Sequence, residues 1–252
     1  MVHGFEIFKQ YFEKYKNQYV IIGGTACSVL MEADDLEFRA TRDIDMVLII
    51  EEITSAFGKT FWQFIKDGKY QHMNKITGKP EFYRFSKPQD MNFPTMIELF
   101  SSKPSNIFLT EENNLTPIPM EDEISSLSAI LLNEEYYQFL KNGIIQVDGI
   151  SILDVPHLIA FKSKAYIDLS NRKSNGEQID SKNIKKHKND IFRLSILLNP
   201  NDTVKVSNEI YQDILYFLDL AQSELIDLKS LGIKNSSKEV FINRIKNVYI
   251  AD

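Results

Sequence analysis

The sequence predicts an α+β fold, with an α/β N-terminal part followed by a mostly helical C-terminal part. Three observations carry this expectation. An apolar run, a Gly-Gly-Thr turn, a helical stretch and a second apolar run follow one another between residues 19 and 50. An Asp-Gly pair between two apolar runs at 144–153 signals a hairpin. From residue 155 onward the pattern is helical.

Taken in order, residues 5–16 set Phe5, Phe8, Tyr11, Phe12 and Tyr15 in a helical rhythm. Residues 19–22 read as a strand, 26–32 as a helix and 44–50 as a second strand. Residues 53–67 predict a helix with Ile53, Phe57, Phe61, Phe64 and Ile65 on one side, stopped by Gly68. Residues 70–100 read as strands and turns, most clearly at 82–85 and 96–100. Pro104, Pro117 and Pro119 mark 101–120 as loop and extended chain. Residues 121–142 return to a helical pattern through Leu127, Ile130, Leu131, Tyr136, Tyr137 and Leu140. The hairpin at 144–153 turns at Asp148-Gly149. Pro156 suits a first helical turn. A polar connector at 170–183 precedes helices near 184–198, 204–228 and 237–248. The expected organisation is a catalytic domain over 1–105, a connecting helix and hairpin over 106–155, and a helical domain over 156–252.

Composition narrows the class. The chain has 252 residues, 43% of them hydrophobic, enough for a substantial core. Its net charge of −6 gives no global basic field, which leaves only a local basic face for a nucleic acid. A single cysteine, Cys27, rules out an intrachain disulfide and points to a reducing compartment. No secretory signal is evident in the first residues, and no apolar stretch reaches the ~18 residues of a membrane span. A cytoplasmic protein that does not enter the membrane is therefore expected.

The most informative segment is Arg39-Ala40-Thr41-Arg42-Asp43-Ile44-Asp45, which opens an apolar run. Residues two apart in a strand share a face, so Asp43 and Asp45 point the same way with Cα atoms ~6.5–7 Å apart. Two carboxylates at that spacing can reach one divalent ion. Acids in a sheet strand lose hydrophobic stability, which a metal or other counter-charge offsets. Upstream, Gly23-Gly24-Thr25 joins a strand to a helix. Glycines allow close approach of the backbone, and N–H groups at a helix start favour an anion. Thr25 is placed either to cap that helix or to donate its hydroxyl to a phosphate oxygen. A phosphate cradle followed by an acid pair points to a nucleoside triphosphate with Mg²⁺.

A two-metal site wants a third carboxylate, and Glu98 interrupts the apolar run 96–100. The plain alternative is a solvated strand face. Positive groups are needed to offset a triphosphate, and Lys162 and Lys186 are candidates. Lys186 and Asp190 stand i,i+4 on one helix face, which would let Asp190 orient Lys186 or form an ordinary surface pair. Asp34-Asp35 and Glu121-Asp122-Glu123 read as solvated charge. His3, His72, His157 and His187 lack zinc-ligand spacing. Neither a Walker-type loop nor a Gly-x-Gly-x-x-Gly turn is present.

Gly23-Gly24-Thr25 followed by Arg39-x-Thr41-x-Asp43-Ile44-Asp45 resembles the nucleotidyltransferases of the polymerase-beta type, most closely the AbiEii-type toxins of abortive-infection and toxin–antitoxin systems. Lys162, Lys164-Ala165, Arg172 and 186–190 fit the order of that family's later motifs. The resemblance spans roughly residues 15–200. It implies a mixed sheet with helices, followed by a helical bundle, and Mg²⁺-dependent transfer of a nucleoside monophosphate. On that resemblance Asp43, Asp45 and Glu98 hold metal, and Gly23, Gly24, Thr25, Thr41, Arg42 and Lys162 bind the nucleotide. Lys186 contacts phosphate and Asp190 acts from the helical part. The gap between Gly24 and Asp43 is longer than in many members, with 32–38 as an apparent insertion.

The implied partners are an NTP, an acceptor such as tRNA or a protein hydroxyl, and a cognate antitoxin. The competing expectations are a small-molecule nucleotidyltransferase of the antibiotic-modifying kind and a non-catalytic nucleotide-binding partner protein.

Overall fold

A computed structural model describes residues 2–72, 82–103, 115–118, 127–234 and 236–252. The described chain divides into two units, one of residues 1–29 and 39–153, the other of 30–38 and 154–252. The fold is α+β, with a mixed sheet and helices in the first unit and mostly helices in the second.

In the first unit the elements run α1 (Phe5–Phe12), β1 (Tyr19–Ile22), α2 (Gly23–Ala33), β2 (Asp43–Leu48), α3 (Ser55–Asp67), β3 (Arg84–Ser86), β4 (Met96–Ser101), β5 (Leu115–Ile118), β6 (Leu127–Leu131), α4 (Glu134–Asn142), β7 (Ile144–Val147) and β8 (Ile150–Leu153). The last residues of α2 belong to the second unit. The strands lie in the order β5-β6-β4-β2-β1-β8-β7, with β3 added beside β4. β2 pairs antiparallel with β1 and parallel with β4, and β8 pairs parallel with β1. All four residues of β1 are buried, as its near-continuous apolar sequence requires of a central strand. Phe8 and Phe12 of α1 pack against Tyr19 of β1 and Phe64 of α3, with ring centroids 5.3–6.2 Å apart, an aromatic core over one face of the sheet.

The hairpin forms as its Asp-Gly pair dictates. Asp148 and Gly149 take φ of 53° and 81°, the doubly positive turn that matches strand twist. Three expectations change. The apolar run 127–131 is strand β6, pairing β4 and β5, and the helix begins only at Glu134 after the Asn133 cap. A five-residue apolar run fits either state, and pairing decided it. The hairpin is not part of a separate connecting segment, because β8 pairs with β1 and carries the first unit to Leu153, beyond the expected boundary at 105. Residues 204–206, read as the start of a helix, form a strand instead. The acidic cluster at 121–123 and the proline at 104 lie outside the described residues.

In the second unit follow α5 (Val155–Ser174), α6 (Ser181–Leu194), β9 (Val204–Val206), α7 (Asn208–Ser223), α8 (Lys238–Val248) and β10 (Tyr249–Ala251), with β9 and β10 pairing parallel. Asp154, Asp180 and Ser207 cap α5, α6 and α7 by accepting backbone N–H bonds. Pro156 sits in the first turn of α5. Among the described residues no helix is long and apolar enough to cross a membrane.

Candidate functional site

In the first unit, the turn from β1 into α2 faces the start of β2. Ile22 and Asp45 are cross-strand partners, so the chain leaves β1 directly beside the Asp45 carboxylate. Gly23 takes a φ of 70°, and a Cβ there would lie 1.9 Å from Asp45 Oδ2. Only glycine meets both conditions. A Cβ on Gly24 would lie 3.0 Å from Arg39 Nη2 and 3.0 Å from Thr41 Cγ2. The two glycines therefore form a concave turn bordered by Asp45, Arg39 and Thr41.

Thr25 is fully buried and donates its hydroxyl to the Asp43 carbonyl oxygen at 2.7 Å. This bond ties the start of α2 to the start of β2. It also spends the hydroxyl on the β2 backbone, which is neither of the two uses read from the sequence. In the segment 32–38 helix α2 runs on to Ala33 and the chain turns at Asp35, where φ is 55°. This segment leaves the glycine turn and the acids together.

Along β2, Asp43 is exposed, Ile44 buried, Asp45 half-buried and Met46 buried. Both acids thus occupy the more open face, and Ile44 and Met46 the core face. Asp45 is in register with Glu98 on parallel strand β4, which places their Cα atoms ~4.8 Å apart. Glu98 in turn opposes Arg84 on β3, and Arg84 Nε donates to Glu98 Oε1 at 2.5 Å. Asp45, Glu98 and Arg84 form one row across three strands. Glu98 is on the face read from the sequence, but it is held by a guanidinium.

Arg42 is exposed at the entrance to β2, and its carbonyl accepts the Thr95 N–H at 2.8 Å. Thr41 is 8% exposed, and among the described residues its Oγ1 is a buried oxygen without a hydrogen-bond partner. That orphan sits beside the Gly24 edge of the cradle, where a ligand oxygen would satisfy it. Arg39 and Arg84 were not singled out from the sequence. Arg39 stands in the quoted motif itself, and Arg84 alternates with Phe85 in a strand-like run, the signals that could have found them.

The second unit holds Lys162, Lys186 and Asp190. Lys162 on α5 is 4% exposed and donates from Nζ to Asp190 Oδ2 on α6 at 2.9 Å. Arg193 Nη1 lies 3.8 Å from Asp190 Oδ1 and stacks over the Phe38 ring at 5.8 Å. Asp190 is completely buried, so these cations are what make its charge tolerable. The i,i+4 partner suggested by the helix face, Lys186, is exposed instead. Packing of α5 on α6 brings Lys162 to Asp190 across 28 residues of sequence.

As a cation site, the open face of β2 offers hard carboxylate oxygens, the donor chemistry of magnesium. Among the described residues no three His, Cys, Asp or Glu side chains are grouped as a metal site. Asp43 and Asp45 fit the magnesium pattern of one or two carboxylates, with phosphate oxygens and water completing the shell.

No family model matches this chain, and no curated protein matches it. Among solved structures, the chain is similar to the Megavirus polyadenylate synthase at a TM-score of 0.36 and 11% identity, covering 88% of this chain. The chain spans 36% of the length of that protein.

Proposed function

We propose that this chain is a nucleotidyltransferase of the AbiEii-like kind, moving a nucleoside monophosphate from an NTP to a hydroxyl acceptor with release of pyrophosphate. The observation that carries the reading is the approach of Asp45 to Gly23, which makes the acid pair and the glycine turn one site rather than two. Backbone N–H groups at the start of α2 would take phosphate oxygens, with Thr41 Oγ1 and the Arg39 guanidinium at the rim. Asp43 and Asp45 would hold Mg²⁺, which supplies charge neutralisation and Lewis-acid polarisation of the phosphates there. Thr25 fixes the helix start against β2, so the cradle and the carboxylates keep one geometry during the reaction. The acceptor oxygen forms its bond to the α-phosphorus as the bond to pyrophosphate breaks, and its proton passes to solvent or a carboxylate. A toxin role with an RNA or protein acceptor, in the cytoplasm and under control of a cognate antitoxin, follows from the motif resemblance.

The deciding experiment incubates the purified protein with each α-labelled NTP, Mg²⁺ and total RNA or cell lysate. Label is expected on a discrete RNA or protein band. Asp43→Asn and Asp45→Asn should each abolish it with the fold intact, because each removes ligand charge but little volume. Undiminished labelling by both variants would refute the assignment.

A further inference from the structure

A second concave surface lies wholly within the second unit. It is a groove of about 550 Å³ at the end of the α5–α6 pair where the chain passes from one helix to the next; α5 contributes Tyr166 and Lys173, α6 contributes Ser181, Ile184, Lys185 and Lys188, and Glu224 follows α7. Lys188 is 5% exposed and donates to the Glu224 carboxylate, which also accepts the Tyr166 hydroxyl. That pairing cancels one positive charge. Lys173 donates to the neutral Ser181 hydroxyl, and Lys185 is exposed. Among the described residues neither Lys173 nor Lys185 is ion-paired, so the groove keeps two uncompensated cations.

This excess stands out in a chain of net charge −6. Between residues 172 and 188 there are six Lys or Arg against two carboxylates. Such a local field concentrates anions at one place on an otherwise acidic molecule. The first turn of α6 opens at the same place, where the Asp180 carboxylate takes the Lys182 N–H and the Asp180 carbonyl the Asn183 N–H. Ile184 and the Tyr166 ring supply an apolar wall beside the lysines.

We propose that this groove binds an organic phosphate, the phosphate group between Lys173 and Lys185 and its organic part against Ile184 and Tyr166. A phosphate monoester carries about −1.5 to −2 charge near neutral pH, which matches two lysines, and its oxygens accept both ammonium groups and the Ser181 hydroxyl. A carboxylate would leave one lysine unmatched. The same monoester is presented by a free nucleoside monophosphate and by the 5′-phosphorylated end of a single-stranded nucleic acid, whose internal diesters carry one charge each. The site stands independently of the nucleotidyl-transfer reading, since it uses none of the residues of that site.

The test is calorimetric titration of the full chain at low salt with EDTA present, so that no magnesium-dependent binding contributes. Inorganic phosphate, a nucleoside monophosphate and a short 5′-phosphorylated single-stranded oligonucleotide are the three probes. Saturable binding of the nucleotide or the oligonucleotide is expected, the tighter of the two identifying the source. Asp45→Asn should bind like wild type. Lys173→Ala/Lys185→Ala, two exposed changes whose fold circular dichroism can verify, should bind at least about tenfold more weakly. Absence of saturable binding for all three probes, unchanged affinity in the double variant, or inorganic phosphate binding as tightly as the nucleotide would each overturn the proposal.

Discussion

Gly23 and Asp45 occupy mutually exclusive space: the position a Gly23 Cβ would take lies 1.9 Å from Asp45 Oδ2. Gly23→Ala is therefore expected to do two things. It places an L-residue at a φ of 70°, a cost of ~1–2 kcal/mol. It also forces the Asp45 carboxylate out of its place. Chemical denaturation should show the modest stability loss, while nucleotidyl transfer should fall far more than stability does. A variant that loses only stability would separate the glycine turn from the acid.

Lys162 and Asp190 form a buried pair, and single substitutions leave one charge stranded. Lys162→Met or Asp190→Leu should each destabilise the protein by ~3–5 kcal/mol, whereas Lys162→Met/Asp190→Leu should recover much of that loss. Arg193 stays beside the second position, so recovery is expected to be incomplete. Urea denaturation of the full double-mutant cycle measures the coupling.

Arg84 holds Glu98 one strand away from Asp45. Arg84→Leu should release that carboxylate toward the acid pair and lower the Mg²⁺ concentration needed for half-maximal transfer. Adding Glu98→Gln to Arg84→Leu should return the requirement to the wild-type value. Metal titration of the initial rate reads both.

A single hydrogen bond should shape both limbs of the stability–pH curve. Tyr137 donates to Glu51 Oε2 at 2.6 Å, and Lys141 donates to Oε1 at 3.1 Å. Burial alone would raise the Glu51 carboxyl, but these bonds outweigh it and hold it below its ordinary 4.5. Its contribution is present above pH 4.5 and lost as the pH falls through the depressed folded value. The Tyr137 hydroxyl is raised above its ordinary 10, by burial first and Glu51 second, so its contribution is present below pH 10 and lost as the pH climbs through the raised folded value. Glu51→Gln should flatten the acid limb and soften the alkaline one, as melting temperatures across the pH range would show.

What could be read from the sequence was what depends on near neighbours. The alternation of Asp43, Ile44 and Asp45 set both acids on one face, and Gly-Gly at the end of an apolar strand announced a tight turn. What could not be read was pairing across distance. Helical spacing offers Asp190 only local partners such as Lys186, yet the packing of α5 on α6 delivers Lys162. Glu98 looked free until the register of β3 set Arg84 opposite it. Thr25 promised a hydroxyl to a ligand, but the nearness of the Asp43 carbonyl follows from tertiary contact alone. The run 127–131 had too few residues to distinguish its periods, and a neighbouring strand claimed it.

The pairing of β1 with β8 has a consequence for synthesis. Residues 19–22 emerge from the ribosome well before residues 150–153, and until then one edge of this interior strand has nothing to close it. A nascent chain stalled anywhere in that interval, or a fragment cut at 105, would present a fully apolar strand to other chains and is expected to aggregate. The β7–β8 hairpin is in this sense a late-arriving clasp for the strand that leads into the glycine turn.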